Sequence, residues 1–190
     1  MTAIAADDLV AVRTSVTDPL VEPLLADLAR EYRARYSDVL TENDLRGEMA
    51  QYPPEQFLAP GGVLLVLVEE RAGRRAVVAG GAFRRRTEPE AGDAARARPG
   101  ARREDGTPAV ATAELKRIWT HPEHRRRGLA RRVLAELERD AWAVGYPRIY
   151  LTTGPRQPEA AALYRRAGYT PLFDVEHPPT EGPLAFEKWR

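Results

Sequence analysis

Arg125-Arg126-Arg127-Gly128-Leu129-Ala130 stands between a strand-like run, Ala111 to Trp119, and an amphipathic run, Leu129 to Val144. It therefore reads as a turn that opens a helix. A helix N-terminus presents N–H groups without intrahelical partners and the positive end of the macrodipole, which together attract anions. Gly128 and Ala130 carry almost no side chain where a backbone would have to approach such an anion. Phosphate oxygens fit that description.

Working outward, the chain reads as alternating strands and helices. Leu9 to Val16 alternates apolar and polar residues as a half-buried strand does. Asp18-Pro19 and Glu22-Pro23 are helix-start signals, and Leu24, Leu25, Leu28, Tyr32 and Tyr36 recur at helical spacing. Thr41-Glu42-Asn43-Asp44 offers a cap for a second short helix reaching about Ala50, ended by Tyr52-Pro53-Pro54. Val63 to Val68 and Ala76 to Phe83 are apolar runs joined by a turn, a hairpin in the centre of a sheet.

Residues 86–108 mix Arg, Glu, Asp, Ala, Gly and Pro with no apolar periodicity. Disorder is predicted there, or a flap over a binding site. Beyond it, Ala109 to Thr120 is a strand leading into the anion loop. The next helix buries Leu129, Val133, Leu134, Leu137 and Ala141, and Gly145 closes it. Arg148 to Thr152 is a strand, and Gln157-Pro158-Glu159 opens a helix capped by Gly168. Tyr169 to Phe173 and Pro183 to Trp189 complete the sheet.

Composition narrows the classes. The chain of 190 residues, 43% hydrophobic and 30% charged, suits one domain, here 1–190. No apolar run is long enough to cross a bilayer, and the N-terminus lacks signal-peptide regions, so a cytoplasmic location with no membrane partner is expected. Without cysteine there are no disulfides, thiolate metal sites or cysteine acyl intermediates. A net charge of +1 gives no overall field for nucleic acid. His121 and His124 are too few for a metal site, so none is expected.

The order Glu114-Leu115-Lys116-Arg117-Ile118-Trp119, then Arg125-x-x-Gly128-x-Ala130, then Leu163-Tyr164 and Gly168-Tyr169, resembles the Gcn5-related N-acetyltransferase (GNAT) family. The likeness covers roughly the C-terminal half and continues in outline through the N-terminal half. It implies an α+β fold, with a mixed, mostly antiparallel sheet of about six to seven strands and helices on both faces. It also implies acetyl-CoA as cosubstrate, with no metal, and an amine acceptor of small-molecule or peptide kind. Cofactor contacts then fall to Ile118, Trp119, Thr120, Arg125, Arg126, Arg127, Gly128, Leu129, Ala130 and Gln157. Ala130 stands where the family has a second glycine, and Gln157 where it often has asparagine.

An amine must lose a proton before it attacks, since its reference pKa is about 10.4. Glu114, 14 positions before Gly128, matches the place where several family members put a general-base glutamate, acting directly or through water. The alternative is a strand-end carboxylate held by Lys116 or Arg117. Backbone N–H groups near Ile118 and Thr120 would stabilise the oxyanion. Tyr164 stands where the family's acid for the leaving thiolate is common, with a buried packing tyrosine as the alternative. The expected activity is direct acetyl transfer to an amine. A non-catalytic acyl-CoA-binding regulatory module is the alternative, and a homodimer through the terminal strands is a further expectation.

Overall fold

The computed structural model describes residues 9–38, 41, 43, 47, 50–71 and 73–190. Its elements in order are β1 (Leu9–Thr14), α1 (Glu22–Tyr36), β2 (Val63–Arg71), β3 (Arg74–Arg85), β4 (Thr112–Thr120), α2 (Leu129–Val144), β5 (Arg148–Thr153), α3 (Pro158–Arg166), β6 (Thr170–Pro171) and β7 (Leu184–Trp189). The second short helix expected over Thr41 to Ala50 lies largely outside the described residues.

The strands form a seven-stranded sheet in the order β1-β2-β3-β4-β5-β7-β6. It is mixed, because β4 and β5 are parallel while β1–β2, β5–β7 and β6–β7 are antiparallel. The expected α+β class is the one observed. No helix among the described residues is long and apolar enough to cross a membrane. By contact, the chain divides into two compact units, one built from residues up to Ala82 with Arg117–Leu137, the other from Phe83–Lys116 with Glu138–Arg190.

In the first unit Asp18 opens the helical stretch by accepting a hydrogen bond from the Leu20 N–H at 2.9 Å. Prolines at 19 and 23 follow, where a missing N–H costs nothing. The apolar side of α1 then packs Leu24 and Leu28, with Val21 before it, against Phe57, Leu64, Val66, Val68, Val77 and Trp119. The other face of β2 is buried as well, through Leu65 and Leu67. That is why this strand reads as an unbroken apolar run rather than an alternating one. Each fully buried leucine or valine here contributes about 1.5–3 kcal/mol relative to exposure.

In the second unit the stretch whose composition suggests disorder carries long-range contacts. Residues 86–108, predicted to be disordered or a flap, follow a defined path against β5 and β7. Arg148 forks onto Glu90 through Nη1 at 2.6 Å and Nη2 at 2.8 Å, and donates from Nε to Glu187 at 2.8 Å. Arg102 adds a bond to Glu90 at 2.9 Å, and the Arg98 N–H donates to Glu187 at 2.7 Å. The Asp93 N–H bonds to the Leu172 carbonyl at 2.7 Å. The side chains of Arg148 and Glu90 are both 0% exposed. At Gly92, with φ of 89°, an added Cβ would stand 2.9 Å from the Cβ atoms of Ala185 and Leu172, so only glycine lets the segment lie this close. Ala91 and Ala97 complete the contact by packing on Tyr150, Leu172 and Ala185. Order in this stretch comes from charges paired across long sequence separations, which local periodicity cannot display.

Candidate functional site

The expected anion loop lies in the first unit. At the end of β4 the His121 N–H bonds to the Val78 carbonyl at 2.9 Å, and His121 Nδ1 accepts from the Glu123 N–H at 3.3 Å. A single 3-10 turn, Pro122–His124, follows. Arg126 and Gly128 both adopt left-handed backbone, with φ of 61° and 77°. Left-handed residues in a turn that opens a helix aim successive N–H groups into one concavity. The first bond of α2 runs from the Arg132 N–H to the Gly128 carbonyl at 3.1 Å. The N–H groups of Leu129, Ala130 and Arg131 thus precede the helical ladder. No acidic residue stands in the first turn of α2 to compete for them. Leu129, 3% exposed, pins the turn to the core beneath.

The three arginines divide their roles. Arg125 donates to Glu31 at 3.0 Å and to the Thr120 carbonyl at 3.3 Å. Arg127 lies 2.7 Å from His124 Nδ1, and because a guanidinium only donates, that nitrogen must accept. His124 is therefore the neutral tautomer with its proton on Nε2. Its pKa is held below the usual histidine value, first by burial, against the opposing pull of Glu69 and with the help of Arg127. Arg126 is exposed. His121 and His124 stack edge to face with centroids 5.5 Å apart. Among the described residues no group of three or more His, Asp or Glu side chains could hold a metal ion.

Just upstream, Arg117 has a φ of 58°, a left-handed residue inside β4. Such a residue costs about 1–2 kcal/mol when it is not glycine. The β4–β5 pairing covers only Thr112 to Leu115 against Arg148 to Leu151, although β4 continues to Thr120. The Arg117 guanidinium lies 4.5 Å over the Phe57 ring, and burial lowers its pKa, with Tyr32 opposing. Trp119 is buried in the core, so any cofactor contact from it falls to its backbone. Thr120 Oγ1 is buried without a hydrogen-bond partner among the described residues. An orphaned hydroxyl costs about 1–3 kcal/mol, which a ligand lying along this strand edge would recover. A coenzyme A diphosphate at the α2 N-terminus and its arm along Ile118 to Thr120 fit the residues present.

Glu114, Gln157 and Tyr164 belong to the second unit. Glu114 is 0% exposed. Its Oε2 accepts from Arg84 at 2.6 Å, and its Oε1 from Arg86 at 2.7 Å and Lys116 at 3.0 Å. Strand alternation explains the cluster. Glu114 and Lys116 share one face of β4, and Arg84 and Arg86 are likewise two apart at the end of the antiparallel neighbour, where the Arg86 N–H bonds to the Thr112 carbonyl at 2.9 Å. Arg84 also holds Glu88 at 2.8 Å, and although burial pushes Glu88 up, this bond and its backbone neighbours bring it down to about 2. Of the two cations expected beside Glu114, Lys116 is there and Arg117 is not among its partners. The spacing in Arg84-Arg85-Arg86 was the missed signal for the other two.

Gln157 clasps its own loop, accepting from Thr153 Oγ1 at 2.8 Å and the Gly154 N–H at 3.2 Å. Tyr164 is 6% exposed. Its ring packs 5.9 Å from Tyr169 and 5.6 Å from Phe186. Burial, with Glu138 adjacent, drives the Tyr169 phenol far above its usual range.

A family model described as "Acetyltransferase (GNAT) family" matches residues 23–169. Among solved structures, an acetyltransferase of the GNAT family from Staphylococcus aureus aligns with TM-score 0.63 at 11% identity, covering 95% of this chain and 98% of that one. An acetyltransferase from Streptococcus agalactiae gives TM-score 0.62 at 17% identity, covering 96% and 99%. The PaiA N-acetyltransferase from Thermoplasma acidophilum, solved in complex with coenzyme A, gives 0.60 at 13% identity, covering 96% and 99%. At such identities these structures speak for the fold alone. No curated protein matches the chain.

Proposed function

The chain belongs to the acetyltransferase (GNAT) family, and on that footing we propose that it transfers an acetyl group from acetyl-CoA directly to an amine, with no covalent enzyme intermediate. The observation that carries the reading is the α2 entrance: left-handed Arg126 and Gly128, a first turn without acidic residues, and the orphaned Thr120 hydroxyl on the strand leading to it. The coenzyme A bound to the Thermoplasma neighbour is consistent with it.

Acetyl-CoA supplies the acyl group as an activated thioester. The N–H groups of Leu129, Ala130 and Arg131 bind its diphosphate, with Arg126 as an exposed cation of the loop. The β4–β5 pairing stops at Leu115, so that backbone donors along Ile118–Thr120 can meet the charge that develops on the carbonyl oxygen. Tyr164 is assigned the proton for the departing thiolate, whose conjugate acid lies near 8.5, below a phenol's usual value near 10.

For Glu114 the geometry favours an anchor that aligns Arg84, Arg86 and Lys116 over a direct base. Its carboxylate is buried and accepts on both oxygens, so taking a proton from an amine requires Arg86 or Lys116 to move aside. Two measurements decide. Release of free thiol from acetyl-CoA with a panel of amines should appear for at least one acceptor; none with any amine points to a regulatory acyl-CoA-binding module instead. Glu114→Gln should lower stability while leaving the shape of the pH–rate profile unchanged, whereas a selective loss of the acidic limb would restore the base role.

A further inference from the structure

Within the first unit the His124 ring answers to two groups of opposite charge. Its Nδ1 accepts from Arg127 Nη1 at 2.7 Å. His124 also stacks edge to face on His121, and His121 on buried Trp119, with centroids 5.5 and 5.9 Å apart. The His124 N–H closes the turn on the His121 carbonyl at 2.8 Å. Arg127 itself lies between Arg126 and Gly128, the two left-handed residues of the loop. A left-handed arginine persists only where its surroundings hold it. The line Trp119, His121, His124, Arg127 therefore fastens the middle of that turn to the core, and its last link exists only while Nδ1 keeps its lone pair. The second group is Glu69 of β2. Its charge acts on the ring, and its Oε1 is buried with no hydrogen-bond partner among the described residues. Glu69, Arg127, His121 and Glu123 are the charged or titratable groups that act on His124. A proton on Nδ1 replaces an acceptor by a donor, sets two cations against each other across the bond, and offers the Glu69 carboxylate an imidazolium to attract.

We propose that His124 is a positioning residue for the diphosphate: its neutral ring holds Arg127, and through Arg127 the turn whose N–H groups receive the phosphates, and a proton on the ring loosens that turn and weakens binding. The role rests on the acetyl-CoA reading for the identity of the ligand, and on the His124–Arg127 bond alone for its dependence on pH. The sign separates it from plain attraction. A diphosphate that merely lay near the ring would favour the charged imidazolium, whereas one that needs the bond to Arg127 favours the neutral ring.

The test follows the ring and the ligand separately. Dephospho-coenzyme A is the probe, because its diphosphate keeps its charge where a phosphate monoester titrates, near a pKa of about 6. The chain has three histidines, so the His124 nitrogens can be followed by NMR in the whole protein. Without ligand, the neutral ring should carry its proton on Nε2, and its titration midpoint should lie below the ordinary histidine value. Calorimetric affinity for the probe should fall about ten-fold as pH drops through that midpoint, the loss expected for one charge-assisted bond. By linkage, saturating probe should lower the midpoint by about one pH unit. His124→Gln keeps an acceptor that does not titrate, so its affinity should stay level over the same range. Glu69→Gln should move the midpoint and the loss of affinity together to lower pH. A proton on Nδ1 of the neutral ring, a midpoint raised or unmoved by the probe, or the parent's pH dependence persisting in His124→Gln overturns the positioning role. Affinity that stays level while the parent's ring titrates overturns it as well. No binding of the probe at any pH rejects the diphosphate reading and the role with it, while the tautomer still decides the His124–Arg127 bond.

Discussion

Glu90→Gln separates a docked segment from a loose one. In the structure the Glu90 side chain is 0% exposed and accepts from both terminal nitrogens of Arg148 and from Arg102 Nε. Glutamine keeps the shape but removes the charge, and turns an amide donor toward guanidinium donors. Breaking a buried ion pair by removing one partner costs about 3–5 kcal/mol. For a chain of this size about 1 kcal/mol moves the melting midpoint by roughly 2–4 °C. The variant should therefore melt about 10 °C below the parent by calorimetry or circular dichroism, with an earlier midpoint in urea. Glu104→Gln in the same segment, where Glu104 is exposed, is the control and should change stability by less than about 0.5 kcal/mol. Equal midpoints for Glu90→Gln, Glu104→Gln and the parent would refute the docked path and return residues 86–108 to the disorder their composition suggests.

Other outcomes follow from the anion loop and its surroundings. Gly128→Glu should abolish coenzyme A binding in a calorimetric titration, because it forces a side chain onto left-handed backbone and sets a carboxylate beside the diphosphate; unchanged affinity would reject the loop as the phosphate site. Tyr164→Phe should slow thiol release with little change in coenzyme A affinity, and full activity would leave that ring a packing role. The folded pKa of His124 lies below its unfolded value near 6.5, so the unfolded chain binds the extra proton first. The stability this neutral ring contributes is intact above pH of about 6.5 and is lost as pH falls through the folded value. Melting midpoints of the parent should therefore drop more steeply below that pH than those of His124→Gln, and parallel curves would remove His124 as the source.

The parts of the fold that could be read from the chain are those whose signal is local. The stripe Leu129, Val133, Leu134, Leu137 and Ala141 is buried throughout, as helical spacing requires. Asp18, the early prolines and Gly145 mark helix ends by chemistry confined to a few residues. The hairpin strands run further than their apolar cores suggested, β2 to Arg71 and β3 to Arg85, because ladder hydrogen bonds continue past the last buried side chain. The strand expected over Tyr169 to Phe173 shrinks to Thr170–Pro171, since pairing with β7 spans only Glu187 and Phe186.

In the site, the loop Arg125 to Ala130 was legible because a glycine pattern, a strand and a helix stood in sequence. The setting of Glu114 was not, because Arg84 and Arg86 reach it from 30 and 28 residues away. Arg117 gives no sign of its left-handed backbone, as arginine is not a residue that favours it.

A stretch fastened by a handful of ionic rivets and backbone ties leaves its outward side chains unconstrained. At exposed positions such as Ala94, Ala95, Pro99 and Glu104 the side chains can drift so long as those charges, Gly92, buried Ala101 and the short apolar footing of Ala91 and Ala97 persist. The exposed border of the stretch can thus be rewritten with its interior packing left as it was.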